Sequence, residues 1–291
     1  MRNKILLVLV LFLVSCGSSG TQQSDHNFKQ GVAEVNVDFL PNAPPDKIYP
    51  DTQFKIIAEL HNLAAYDITN AELSVINIDP SYFEVDPLQS FLDDMQGRSL
   101  TNPDGDKLFI EFDGIAGTLF ENARQYLGNY LLKLRYSSTM EFSDTLCMNA
   151  DLYQVFDSGC AVEQRKSYSG QGSPLAIAYM EEIISPGGAP EVEFRLLLRN
   201  RGKGKIKRVE LQSARLGNDE LDCHFSRSGL KGKKIEFTDK KQEVTILCNK
   251  KFLDNFKSYT TTIYLEFSYD YEATVKHRLV LINPDLSTGF I

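Results

Sequence analysis

The residues with most chemistry to offer in this 291-residue chain are its five cysteines, Cys16, Cys147, Cys160, Cys223 and Cys248. A thiol can be acylated, oxidised to a disulfide or bound to a metal, and spacing helps to separate these fates. No CxxC is present, and His26, His61, His224 and His277 do not stand at zinc-ligand spacing from the cysteines. Cys223 and His224 are adjacent, and neighbours on a strand point to opposite faces. Hydrolase and nucleotide chemistry lack their motifs as well, with no GxSxG, HExxH, P-loop or post-strand GxGxxG. Glu181 and Glu182 are consecutive, so they do not face each other across a substrate. The chain is therefore expected to be no enzyme and to hold no metal and no cofactor.

Cys16 directly follows a leader of the secretory kind. Arg2 and Lys4 give it a positive start, and Ile5 to Val14 form an uncharged apolar run. A bilayer core takes roughly 20 apolar residues to span, so this shorter run has the length of a signal h-region. Leu13-Val14-Ser15-Cys16 resembles the lipobox of bacterial lipoproteins. That resemblance implies cleavage before Cys16 and acylation of its thiol, hence a signal peptide over 1–15 and attachment to a membrane of the cell envelope or cell surface. The tether, 16–30, continues with GSSGTQQSDHNFKQ, whose only large apolar residue is Phe28, and fits a flexible spacer.

Beyond the tether the chain repeats itself. At an offset of 138, Phe54, Ile56, Ala58, Leu60 and Asn62 fall on Val192, Phe194, Leu196, Leu198 and Asn200. At an offset of 133, Tyr130, Leu132, Leu134 and Tyr136 fall on Ile263, Leu265, Phe267 and Tyr269. The period is domain-sized. Apolar and polar residues alternate in short runs, the signature of half-buried strands. The expected fold is all-β, two tandem Ig-like β-sandwiches over 31–150 and 174–291 with a flexible linker, 151–173. Strands are expected at 33–40, 53–61, 71–78 and 107–112, with 129–136 and 140–147 forming a hairpin. In the second unit 260–269 and 273–282 read as another hairpin, and Leu88–Met95 and Leu119–Leu127 read as helical. Four cysteines allow three pairings; one bridge per unit would join Cys147 to Cys160 and Cys223 to Cys248, in an oxidising compartment. The stretch FRLLLRNRGKGKIKRVELQ, a strand ending in Asn, a Gly-containing turn and a Val/Leu strand, is similar to the cell-adhesion-related Ig-like domains called CARDB-like. The resemblance implies surface display, scaffolding or adhesion, and brings no catalytic residue.

Charge is divided unevenly. Residues 31–150 carry seven basic and nineteen acidic residues, a net of −12, while 151–291 carry twenty-one and nineteen, a net of +2. Arg199, Arg201, Lys203, Lys205, Lys207 and Arg208 form a basic run that reads either as an anion or partner contact or as a solvated turn that guards a sheet edge. An exported, acidic chain is a poor nucleic-acid binder. In TNPDGDK, 101–107, Asp104 and Asp106 flank a glycine, but no glutamate closes a calcium loop, and Asn-Pro-Asp-Gly is sufficient for a turn. Tyr269 and Tyr271 share a strand face, either as a stacking platform or as core. The expected function is a lipid-anchored structural or interaction lipoprotein that contacts another envelope or surface protein or a second copy of itself. The alternative is a carbohydrate- or ligand-binding lipoprotein of an uptake or secretion system. Cys16→Ser is expected to abolish incorporation of labelled fatty acid, and incorporation that survives the substitution would place the anchor elsewhere.

Overall fold

The computed structural model describes residues 27–120, 123–149, 159–185, 190–226, 232–252 and 258–284; Cys16 and the leader lie outside them. The first half of the chain supplies β1 (Val35–Phe39), β2 (Gln53–Asn62), β3 (Ile68–Ile76), β4 (Phe83–Asp86), β5 (Gln89–Phe91), β6 (Lys107–Ala116) and β7 (Gln125–Met148). The second supplies β8 (Arg165–Ser167), β9 (Leu175–Ser185), β10 (Glu191–Asn200), β11 (Lys205–Leu216), β12 (Asp219–Glu220), β13 (Asp222–Phe225), β14 (Lys234–Glu236), β15 (Glu243–Lys251) and β16 (Tyr259–Ile282). The protein is all-β, and every strand ladder is antiparallel.

Two expected hairpins are single strands. β7 and β16 each run for 24 residues and pair along their whole length, from Gln125 opposite Ile282 to Met148 opposite Tyr259. The polar centres Ser137-Ser138-Thr139 and Asp270-Tyr271-Glu272 look like turns, yet neither holds the Gly or Asn that a tight hairpin turn favours. Alternation also keeps its phase through both: Leu134, Tyr136, Ser138, Met140 and Phe142 are all buried, as are Leu265, Phe267, Tyr269 and Tyr271. Among the described residues the expected helices are absent too. β5 lies within the first, and Met95 bridges Ile68; β7 begins within the second. Short apolar runs do not distinguish helix from buried strand by periodicity.

The long pair is the axis of a seven-stranded sheet. β3 flanks residues 131–138 of β7 with β5 outside it, and β11 flanks β16, with β12 and β14 pairing to β11. Over one face of this sheet lie a four-stranded sheet, β1-β2-β6-β4, and a five-stranded sheet, β13-β15-β10-β9-β8. The repeat is a local two-fold: Ser137 and Asp270, equivalent at offset 133, are direct cross-strand partners. The two sandwiches are thus side by side on one shared sheet rather than in series. Each borrows strand from the other. Phe39 of β1 stacks on His277 of β16 at 4.3 Å, while Tyr168 of the second half packs edge-on against Phe142 of β7 at 4.8 Å.

The repeated asparagines hold equivalent turns. Asn62 Oδ1 accepts from Ala64 N at 3.1 Å and its Nδ2 donates to Tyr66 O at 3.1 Å; Asn200 repeats this with Gly202 N at 3.0 Å and Gly204 O at 2.8 Å. Both disulfides of the one-per-unit pairing are present: Cys147–Cys160 ties the end of β7 to the chain before β8, and Cys223–Cys248 joins facing residues of β13 and β15. Two disulfides fit an oxidising, extracytoplasmic environment.

The linker reading needs correction where it is described; 151–158 lie outside the described residues. Gly170 to Pro174 are buried, β8 has formed just before them, and Gly172 stands at φ +71° where a Cβ would lie 2.2 Å from Phe28 O. Its glycines serve close backbone approach rather than flexibility. Phe142→Ala is expected to cost about 3–5 kcal/mol, although the residue belongs to the first repeat and packs in the second. A single unfolding transition shifted to lower denaturant checks this. Two separate transitions would mean that the halves fold independently.

Candidate functional site

The basic run is almost fully engaged within the chain. Arg199 pairs with Glu243 at 2.6 Å, Lys205 and Lys207 with Asp239 at 2.7 and 3.3 Å, and Arg208 with Asp270 at 3.0 Å. Arg201 donates to the carbonyls of Tyr168 and Ser169. The hydrogen bonds and charges of Lys205 and Lys207 hold the Asp239 carboxyl below its ordinary range. Lys203 extends an exposed side chain, but its amide donates to the Glu34 carboxylate at 3.2 Å. The turn itself is clamped. Gly204 N donates to Tyr271 Oη at 2.6 Å, the Tyr271 hydroxyl donates to Glu34, and a Cβ on Gly204 would lie 2.4 Å from Glu272 O. Burial first, then Glu34, pushes the Tyr271 phenol well up. Tyr269, Tyr271 and Tyr136 are core at the two-fold, so they form no stacking platform.

Much of the charge on the free face of the seven-stranded sheet is paired within it, although Glu141 and Glu266 are like-charged cross-strand partners, with Lys29 bound to Glu141. Glu72, Arg135, Glu272 and Lys205 follow one another across adjacent strands with alternating sign. Burial pushes Glu272 up, but hydrogen bonds from Arg135 and Lys133 and the charges of Lys133 and Lys207 outweigh it, leaving the carboxyl lowered. Charges satisfied in such a ladder are poorly placed to attract a partner.

The outward face of the four-stranded sheet has a different balance. It carries Asp38, Glu59, Glu84, Asp86, Glu111 and Asp113 against Lys55 and Lys107, and it exposes Phe109 (54%) and Ile115 (49%). Asp86 and Asp113 are direct cross-strand partners, an arrangement that is destabilising for like charges. Lys55 stands opposite Asp113 in the next strand and bonds Glu111 at 2.7 Å. The Glu111 hydrogen bond and charge, then Asp113, hold the Lys55 ammonium above its usual range. A concavity of about 820 Å³ lies here, bordered by Asn42, Pro45 and these strands. The carboxylates are open to water, Asp113 with 74% of its side chain exposed, and so lack the burial that tunes a general acid. Sequence alternation assigned these side chains to an outer face; only β6 crossing between β2 and β4 brings Asp86, Asp113 and Lys55 into one row.

TNPDGDK forms the turn its residues favour. Gly105 takes φ +74°, and Asp106 accepts from Gln96 N at 2.7 Å and Asn102 Nδ2 at 2.8 Å. Among the described residues no group of three or more His, Cys, Asp or Glu is placed to hold a metal ion.

One carboxylate is buried inside the second sandwich. Glu181 points outward to Arg165 at 3.5 Å, whereas Glu182 points inward, 6% exposed, and its Oε1 has no hydrogen-bond partner. Nearby, Asp144 accepts from Lys166 Nζ at 3.0 Å and from the Tyr168 hydroxyl at 2.6 Å. Burial pushes the Glu182 carboxyl up to about 7, against the opposing charge of Lys166.

No family model matches the chain, and no curated protein matches it. A solved glycoside hydrolase in complex with neoagarooctaose is 10% identical over 82% of this chain, with a TM-score of 0.14; the chain spans 34% of its length. The collagen adhesin of S. aureus is 10% identical over 88% of this chain and 93% of its own, with a TM-score of 0.11. Likeness at that level carries no argument about fold or function.

The Glu182 carboxyl gives a signed prediction. Its pKa in the folded state is raised above the unfolded value of 4.5, so the stability linked to it is fully present below about pH 4.5 and is lost as pH rises through 7. The loss amounts to about 2–4 kcal/mol. Denaturant midpoints taken across this window are expected to fall for the parent and to fall less for Glu182→Gln. An equal fall in both would locate the dependence elsewhere.

Proposed function

We propose that this protein is an exported, lipid-anchored interaction module, an adhesion or scaffold lipoprotein without catalytic activity, whose docking surface is the outward face of the four-stranded sheet. The observation that supports this most is the composition of that face: six carboxylates against two lysines around two exposed apolar side chains, with no layer over it among the described residues. Apolar contact gives such a face affinity, and its uncompensated carboxylates select a basic partner and speed encounter. Another envelope or surface protein with a basic, partly apolar patch fits this chemistry. The disulfides agree with a location outside the cytoplasm, and no helix among the described residues is long and apolar enough to cross a membrane. Attachment through Cys16 is part of the proposal and rests on the lipobox resemblance.

Photocrosslinkers placed at Phe109 and at Thr262, on the free face of the central sheet, test the docking surface on intact cells. Adducts are expected from position 109, several-fold fewer at high salt and in Asp86→Lys with Asp113→Lys. An adduct with a second copy of the chain would identify self-association. Adducts confined to position 262 would move the docking surface to the central sheet.

A further inference from the structure

The described chain begins at Asn27, and its exit point is fixed to the body. The Phe28 ring lies 5.0 Å from the Arg98 guanidinium, and Lys29 Nζ bonds Glu141 at 2.5 Å and lies 5.4 Å from the Tyr66 ring. Asn27 therefore emerges beside β7, about two thirds of the way along a ribbon roughly 80 Å long. Eleven residue steps separate it from Cys16, which bounds their separation at about 40 Å. A chain of this Gly- and Ser-rich composition has a root-mean-square reach of roughly 20 Å.

Leu127 lies fourteen residues from Glu141 on the same strand, about 46 Å away. That end of the ribbon approaches the anchor only if the tether is pulled nearly taut along the body. The surroundings of Asn27 approach it without stretch. There Asn27, Lys29 and the turn 98–101 border a groove of about 410 Å³, and Leu100 stands at its rim, 83% exposed, the most exposed large hydrophobic side chain among the described residues. The turn is held by hydrogen bonds from Ser99 N to Asn102 O at 2.9 Å and from Asn102 N to Ser99 Oγ at 3.1 Å, so Leu100 projects from a built tip.

We infer that this side of the protein, led by Leu100, rests on the lipid surface that holds Cys16, leaving the Leu127 end of the first sandwich turned away from the membrane. The inference depends on the proposed acylation of Cys16. One leucine is too little to hold a free protein on a bilayer, but a short tether supplies a high effective concentration, so a weak contact suffices to set orientation. The charged side chains that border the groove are Lys29 and Arg98, Lys29 being paired with Glu141. Contact is therefore expected with zwitterionic headgroups and to persist as anionic lipid is added.

The chain contains no tryptophan, so L100W and L127W each place a single reporter at an exposed site. The acylated full chain is reconstituted in phosphatidylcholine vesicles that contain a dansyl-headgroup lipid. Both proteins are expected to float with the vesicles, with energy transfer to dansyl several-fold stronger from L100W and maintained when phosphatidylglycerol is added. Flotation with equal transfer, or with stronger transfer from L127W, overturns the orientation and leaves the anchor standing. Failure of both to float overturns the anchor, and the orientation with it.

Discussion

The rest of the architecture depends on the unbroken pairing of β7 with β16. A sheet of seven strands would be possible with shorter partners, but the second layer would then divide into two sandwiches that each needed a complete core. Because the two strands run past the local two-fold in opposite directions, each extends under the other half's sheet. Burial of Phe142 and Leu146 by the second half, and packing of His277 and Leu281 with the first, tie the halves together through one continuous apolar layer. Separating the halves would expose that layer and the borrowed strand ends.

The crossing point of the two-fold is where tolerance is least. The chain entering β1, the chain leading into β9 and the turn between β10 and β11 all converge on Tyr136, Tyr269 and Tyr271. Ser173 donates to Tyr269 Oη at 3.0 Å, and Glu34 accepts from Tyr271 and from the amide of Lys203. Glycines at 172, 202 and 204 allow these backbones to approach where a Cβ would collide. Glycines that look like linker and loop signals in isolation thus mark close backbone contacts.

Charge on the surfaces follows a division of labour. On the central sheet, Glu72, Arg135, Glu272 and Lys205 alternate in sign from strand to strand, Glu141 and Glu266 stand opposite each other with Lys29 on Glu141, and the basic run at 199–208 is absorbed by Glu243, Asp239 and Asp270. On the four-stranded sheet, Asp86 faces Asp113 and only one lysine answers them. Like charges held opposite cost stability, and an interaction surface is a setting in which a partner's cations offset that cost.

Alternation along the strands was sufficient to determine an all-β chain, because burial on one face of a strand imposes a period of two; the Asn-terminated repeat pointed to a duplication, and four cysteines left three pairings, of which the fold chose Cys147–Cys160 and Cys223–Cys248. The shared inward face of Tyr269 and Tyr271 follows from the same parity, whereas Glu182 turns inward and Glu181 outward only because a bulge opposite Leu197 and Leu198 shifts the phase of β9 between Ile177 and Met180. Local sequence could not tell that 137–139 and 270–272 continue a strand, since serine, threonine and aspartate suit a turn as well as an exposed ladder and the choice is made by the partner strand. Nor could it bring Asp86 beside Asp113 or clamp 202–204 onto Tyr271 and Glu34. Those juxtapositions join residues far apart in the chain, and only the order of strands in the folded sheets, set by which apolar faces close over one another, decided them.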